Sequence, residues 1–231
     1  MLSKLRYTLI VCTILLVVSA VACNKNNSST AANLKLINAC PNSGAIDARV
    51  NDQLFAGTIS YGAASFYQSV GTTIDFKINA TGSGTAFNST YTLVNGKSYS
   101  VYVYDSLAKI KASLIEDDKT VPPAGKAYVR LLHLLTDGAV VDVLKSGGPT
   151  KLFSNRSFQD HQTNSSVVAY TAIDPGPFSC TAVIAGTSTS VAQLASFDAT
   201  AGKTYTLVLR GFSKATSFTT ESPKLVPVED Q

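Results

Sequence analysis

The chain has two histidines, His133 and His161, for acid–base work, and neither has a second His or a Cys at zinc-ligand spacing. Asp160-His161 has the composition of a base with an orienting carboxylate. Neighbours on an extended chain point apart, however, and "NRSFQDHQTNSS" reads as a polar loop with a solvated histidine. Glycoside hydrolysis needs two carboxylates about 5 to 9 Å apart across a cleft. Glu116, Glu221 and Glu229 fall at domain ends and tails instead. There is no G-x-S-x-G elbow and no Gly-rich phosphate loop. These residues predict no catalytic site, no metal site, no cofactor and no enzyme activity.

One residue does have a legible chemistry. Cys23 ends the run from Tyr7 to Ala22, which follows the cations Lys4 and Arg6. A charged start, an apolar middle and small residues at the end make a secretory signal. The run is shorter than the about 20 apolar residues of a spanning helix. Ala20-Val21-Ala22 fits an ordinary A-x-A cut that would leave Cys23 as a free amino-terminal thiol. With Cys23 it also resembles the bacterial lipobox, with Ala20 where leucine is usual. An exposed free thiol would be a liability on an exported protein, which favours lipidation. In that chemistry the cysteine sulfur receives a diacylglycerol, the bond before it is cut, and the new amine is acylated. Two or more acyl chains anchor a protein firmly, at about 0.8 kcal/mol per buried methylene. The segments expected are a signal peptide (1–22) and a lipidated Cys23 on a flexible tether (23–33). The polar stretch "NKNNSSTAAN" has a span of about 17 Å. No acidic run of the kind that resembles a surface-export tag follows Cys23, so periplasmic and surface faces both stay open.

The formal charge is +4 and falls to +2 when Lys4 and Arg6 leave with the signal. With no Lys/Arg stripe, nucleic acid is excluded as a partner. Richness in Thr, Ser, Val, Tyr and Gly, without a 3.6-residue period, points to strands. Cys40 and Cys180 fall in different repeats and are expected to be buried and unpaired.

Internal repetition sets the architecture. "LKLINACPNSGAIDARV" from Leu34 aligns without a gap to "VRLLHLLTDGAVVDVLK" from Val129, and "NGKSYSVYVY" from Asn95 to "AGKTYTLVLR" from Ala201. In the first copy, alternating runs cover Leu34–Asn38, Ala45–Val50, Ser65–Val70, Ile74–Ala80, Ser89–Val94, Tyr99–Asp105 and Ile110–Glu116. About seven short strands per copy predict an all-β chain of two tandem immunoglobulin/fibronectin-like sandwiches, residues 34–119 and 126–231. The Pro-rich stretch 120–125 links them. Tyr99 and Tyr205, each just after a Gly turn, fit a tyrosine corner with the hydroxyl bonded to upstream backbone. Asp47 and Asp142 recur at equivalent places, which suits a service to the shared fold such as bonding turn amides.

These residues resemble an envelope family, the domain of unknown function 4397. Its members show a strand, a His/Asn-Ala-Ser-Pro-like turn and an apolar-Asp-apolar strand. The first copy has Asn38-Ala39-Cys40-Pro41 followed by Ala45-Ile46-Asp47-Ala48. The second has His133-Leu134-Leu135-Thr136 followed by Val140-Val141-Asp142-Val143. Cys40 replaces the usual Ser, and the second copy lacks Ser-Pro. The resemblance implies β-sandwich modules in exported proteins and brings no activity; the build is similar to Bacteroidota lipoproteins. Asp105-Ser106-Leu107 resembles an O-glycan acceptor of that group, with Ser106 as the candidate; a plain turn is the other reading.

Binding remains. Opposite the expected inner face of Tyr99 and Val101, Tyr102 and Tyr104 would stand outward, where they either form a ligand platform or cover the seam between domains. Tyr61 and Phe66 are further candidates, whereas Tyr67, aligned with Tyr170, is expected in the core. The function expected is a lipid-anchored, non-catalytic binding or adhesion module, held in the cell envelope as an outer-membrane lipoprotein. Its partners would be the membrane and an envelope protein or polysaccharide. The alternative is an accessory subunit of an envelope nutrient-capture complex. Replacing Cys23 with Ser should abolish acylation and leave uncut precursor or a released soluble form, read by mass spectrometry of the amino terminus. Retention in membranes through a high-salt wash would contradict it.

Overall fold

Alternating apolar and polar residues, rich in β-branched types, leave each segment one face to bury, and two sheets satisfy that need by facing each other. The computed structural model describes residues 31–80, 84–148, 150–215 and 220–230. The expected signal segment, Cys23 and the expected tether as far as Thr30 lie outside them, whereas Ala31–Asn33, expected in the tether, pair with Ser69–Gly71 and open the first strand instead. The first repeat contains β1 (Ala31–Asn38), β2 (Ala45–Val50), β3 (Gln53–Ser60), β4 (Gln68–Gly71), β5 (Thr73–Ala80), β6 (Gly84–Thr92), β7 (Ser98–Tyr104) and β8 (Lys111–Glu116). The second contains β9 (Ala127–Thr136), β10 (Val141–Lys145), β11 (Lys151–Arg156), β12 (Thr171–Ile173), β13 (Gly176–Ile184), β14 (Ser190–Ala199), β15 (Thr204–Phe212) and β16 (Lys224–Glu229). The sheets are ordered β4-β1-β7-β8 and β3-β2-β5-β6 in the first repeat, β12-β9-β15-β16 and β11-β10-β13-β14 in the second. Strand for strand, the repeats share one topology.

Most ladders are antiparallel, but β1 runs parallel to β7 and β9 parallel to β15. The registers agree, Leu34 opposite Tyr99 in one repeat and Val129 opposite Tyr205 in the other. Each sandwich has its own core. Leu34, Leu36, Ile46, Ile74, Phe76, Ile78, Val101 and Val103 fill the first. Val129, Leu131, Val141, Val143, Phe178, Cys180, Leu207 and Leu209 fill the second.

The expected seven strands per repeat are in fact eight, and the one missed is β3. Ala56 (φ 60°) and Gly57 (φ 70°) bulge out of it, so Asp47 faces Thr58 while Ala48 faces Phe55. The bulge breaks the period-two pattern that a sequence reading follows. A bulge at Asn155 (φ 52°) occupies the same place in β11. Both bulges lie across from the repeated aspartate. Thr58 Oγ1 donates to Asp47 (2.6 Å), and the Asn155 amide donates to Asp142 (2.9 Å).

The tyrosine corners are present in both repeats. Tyr99 Oη accepts from the Val94 amide (3.1 Å) and Tyr205 Oη from the Thr200 amide (3.1 Å), each ring lying in its core. Tyr99→Phe and Tyr205→Phe should each lower stability by about 1 kcal/mol in urea unfolding, because each leaves one amide without its acceptor.

Candidate functional site

The outer faces of two sheets, one from each sandwich, meet in a seam. From the first come Ile37 (β1), Ala39, Tyr102 and Tyr104 (β7) and Ile115 (β8); from the second come Leu132 and Leu134 (β9) and Val208 (β15). Tyr102 and Tyr104 do point away from their own core, as alternation requires. The face they occupy is covered, leaving them 0% and 1% exposed. They are seam residues and not a ligand platform, because the second repeat lays an equally apolar sheet over them.

Charge accompanies the apolar contact and is arranged reciprocally. Arg130 (β9) donates through Nη2 to Asp117 Oδ1 (2.5 Å) and through Nη1 to the Glu116 carbonyl (3.0 Å), both from the first repeat. Lys35 (β1), its partner in the repeat alignment, donates to the Glu229 carbonyl (2.7 Å) and lies 3.5 Å from Asp230 of the second repeat. Ser100 Oγ and Tyr67 Oη donate to Asp117 (2.6 and 2.7 Å), as Thr206 Oγ1 and Tyr170 Oη donate to Asp230 (2.6 and 2.9 Å). Lys35 Nζ sits 4.8 Å over the Tyr67 ring, and Arg130 Cζ 4.8 Å over that of Tyr170. One patch thus meets its own equivalent, which is the geometry of a twofold, isologous interface built inside a single chain.

Arg130 Nη2 is also 3.4 Å from Asp230 Oδ2, so two buried carboxylates share one guanidinium. Burial, then the charge of Asp230, pushes the Asp117 carboxyl up despite Arg130. For Arg130, burial opposes the charged form, but the surrounding oxygens led by Asp230 outweigh it. Tyr67, placed in the core by its sequence pattern, is half-buried in this network instead, and burial pushes its hydroxyl up.

His161 also departs from expectation. Its Nε2 lies 2.9 Å from Ser113 Oγ, and its ring meets Tyr104 edge-on, so it packs on the first sandwich. Burial pushes it down to about 4. Asp160 turns away to pair with Arg156 (2.6 Å). The two residues are therefore not a dyad.

The remaining candidates divide into structural and exposed. Asn38 Nδ2 donates to the carbonyls of Gly44 (3.2 Å) and Ile59 (3.1 Å), and its Oδ1 accepts from the Cys40 amide. Buried His133 places Nε2 3.0 Å from the Ala139 carbonyl, six residues on, just as Gly44 follows Asn38. Pro41 is buried in the same turn. The family-motif positions therefore tie the turn between the first two strands of each repeat. The Lys151 ammonium, then the Asn155 amide, holds Asp142 below the usual carboxylate range. Cys40 and Cys180 are free and buried, and burial pushes each thiol up to about 12. Ser106 is half-buried, and its amide donates to the buried Asp105 (2.8 Å). Tyr61 lies under Arg210, whereas Phe66 is 92% exposed. Among the described residues, no group of three or more His, Cys, Asp or Glu is placed to hold a metal ion.

The network residues were not singled out from the sequence, although a signal existed. Lys35 and Arg130, Ser100 and Thr206, and Asp117 and Asp230 stand at equivalent repeat positions. A cation kept within an otherwise apolar strand in both copies marks a partnered face.

By fold, the molecule is a tandem β-sandwich protein whose repeats close on each other through a patch that recurs in both. A family model described as Domain of unknown function (DUF4397) matches residues 32–144, running from β1 across the linker to β10. No curated protein matches the chain. Among solved structures, "The Bacillus anthracis TIE protein" is similar at 10% identity and a TM-score of 0.24, covering 78% of this chain and 34% of that one. This chain thus spans about a third of that protein, and a likeness of that size says nothing about function.

Arg130→Met would leave Asp117 and Asp230 buried without their shared cation. Stability should fall by about 3 kcal/mol or more, with faster amide exchange in β9 and β15 at the seam. A loss under about 1 kcal/mol in chemical denaturation would mean that the ion pairs are incidental to the seam.

Proposed function

We propose that the protein is a lipid-anchored, non-catalytic binding or adhesion module of the cell envelope. The observation that carries this reading is the sequence Ala20-Val21-Ala22-Cys23 with its polar tether, placed ahead of a body with two tandem sandwiches. Acyl chains on Cys23 hold the mature chain at a membrane, and the polar stretch 24–30 ahead of β1, with a span of about 15 Å, keeps the body near it. The seam favours presentation over catalysis, since Tyr102, Tyr104, Arg130, Asp117 and Asp230 are all committed to joining the repeats. Phe66, carried between Tyr61 and β4, is the large aromatic most open to a partner among the described residues. An exposed aromatic of this kind can stack on a sugar ring or seat in a protein pocket.

The mature chain, immobilised, should retain an envelope polysaccharide or protein fraction. Phe66→Ser should weaken retention by about 2 kcal/mol while leaving unfolding within about 0.5 kcal/mol. Retention of no fraction by the wild-type chain would remove the binding reading and favour the accessory-subunit alternative.

A further inference from the structure

Beside the ionic network, the second repeat carries an aromatic wall that the first repeat lacks. By register, Tyr128 of β9 stands where the first repeat has Asn33, and Ala169 stands where it has Phe66. The Tyr128 ring stacks on that of Tyr170, with centroids 5.7 Å apart and planes at 17°. Arg130 Cζ lies 4.8 Å over the Tyr170 ring, and Tyr170 Oη donates to Asp230 (2.9 Å), so the pair is held in place. With alanine at 169, the room that a phenylalanine would take stays open. A cavity of about 360 Å³ results, lined by Tyr128, Ala169 and Tyr170 of the second repeat and by Glu116, Asp118 and Thr120 on the exit from β8.

The polar groups on this lining are within reach of solvent. Tyr128 is half-buried, and its Oη makes no hydrogen bond to protein among the described residues and is not enclosed. Glu116 and Asp118 are both exposed. Lys97 already meets Glu116 Oε1 (2.7 Å). Asp118 receives the Thr120 amide (2.9 Å) and Oγ1 (2.8 Å), both on Oδ1, which leaves Oδ2 free to accept. Thr120, through its hydroxyl and then its amide, holds Asp118 below the usual carboxylate range, so the acceptor stays charged at neutral pH. Arg130 offers the cavity no cation, because Nη1 and Nη2 are spent on the Glu116 carbonyl and Asp117.

A fixed aromatic wall, an open phenol and a charged acceptor, with no free cation beside them, suit one kind of ligand. The C–H face of a sugar ring packs on an aromatic, and its hydroxyls donate to a carboxylate. An anionic ligand would meet Asp118 as a like charge, and a purely apolar one would desolvate it without a partner. The volume lies within the range of about 300 to 1,000 Å³ usual for small-ligand sites. We propose that Tyr128, Tyr170 and Asp118 form a binding site for a pyranose unit of a neutral glycan, at the joint between the two repeats. The site deepens the binding reading by naming a ligand class, at a place separate from Phe66.

The mature chain should be titrated calorimetrically with neutral hexasaccharides of glucose, mannose, galactose and xylose, with oligogalacturonate as the anionic arm and choline as the cationic one. Saturable binding of at least one neutral sugar is expected, with none of oligogalacturonate. Tyr128→Ala should weaken it about tenfold. Asp118→Asn, an exposed change that should leave the unfolding midpoint in place, should weaken it about fivefold and admit oligogalacturonate. It carries the test if Tyr128→Ala does not fold. Phe66→Ser should leave the titration unchanged. The proposal is overturned if no neutral sugar binds, if choline or oligogalacturonate binds as tightly as the best of them, or if Asp118→Asn behaves as wild type. Should no sugar bind while the wild-type chain still retains an envelope fraction through Phe66, this site falls and the wider binding reading stands.

Discussion

Arg130 crosses from the second repeat to bind Asp117 of the first while standing 3.4 Å from Asp230 of its own repeat. A guanidinium buried this deeply must have its charge met nearby. Two chain segments are held to it, the exit from β8 and the carboxyl-terminal end beyond β16. Because Lys35 makes the mirrored contact, a shift of one repeat against the other would strand charges on both sides of the seam. The apolar part, Tyr102, Tyr104, Leu132, Leu134 and Val208, supplies area but tolerates sliding. The ion pairs set the register.

That constraint explains why a duplicated domain of this kind behaves as one body. Residues 31–231 form a single compact unit although each sandwich has its own core. The patch is self-complementary, so the same strand positions serve both sides and a duplicated sequence supplies both at once. Where the copies have diverged, the symmetry is broken locally. Tyr128 and Asn33 are the clearest case, with Tyr128 stacked on Tyr170 in one repeat and an asparagine at the equivalent place in the other.

The sequence was informative where physics is local. Alternation located most strands, the Gly-turn-Tyr pattern located both tyrosine corners, and the repeat alignment anticipated the shared topology. β3 escaped because Ala56 and Gly57 interrupt its period with two left-handed residues. His161 escaped for a different reason. Its neighbours are polar enough to read as a solvated loop, and only the first sandwich, far away in sequence, takes it out of water.

By itself, the amino-acid sequence determined the all-β class, the duplication and the inward faces of the strands. Each depends on spacing within a few residues or on direct comparison of the two copies. The tertiary structure decided what the outward faces meet. Whether Tyr102 and Tyr104 face solvent or a second sheet turns on the packing of segments some thirty or more residues apart along the chain, which period-two alternation cannot encode. The same holds for Lys35 and Arg130, since a lone cation on a strand reads as a solvated edge until a distant carboxylate is brought against it. Burial on a sheet's outer face belongs to the pair of surfaces, and neither surface carries it alone.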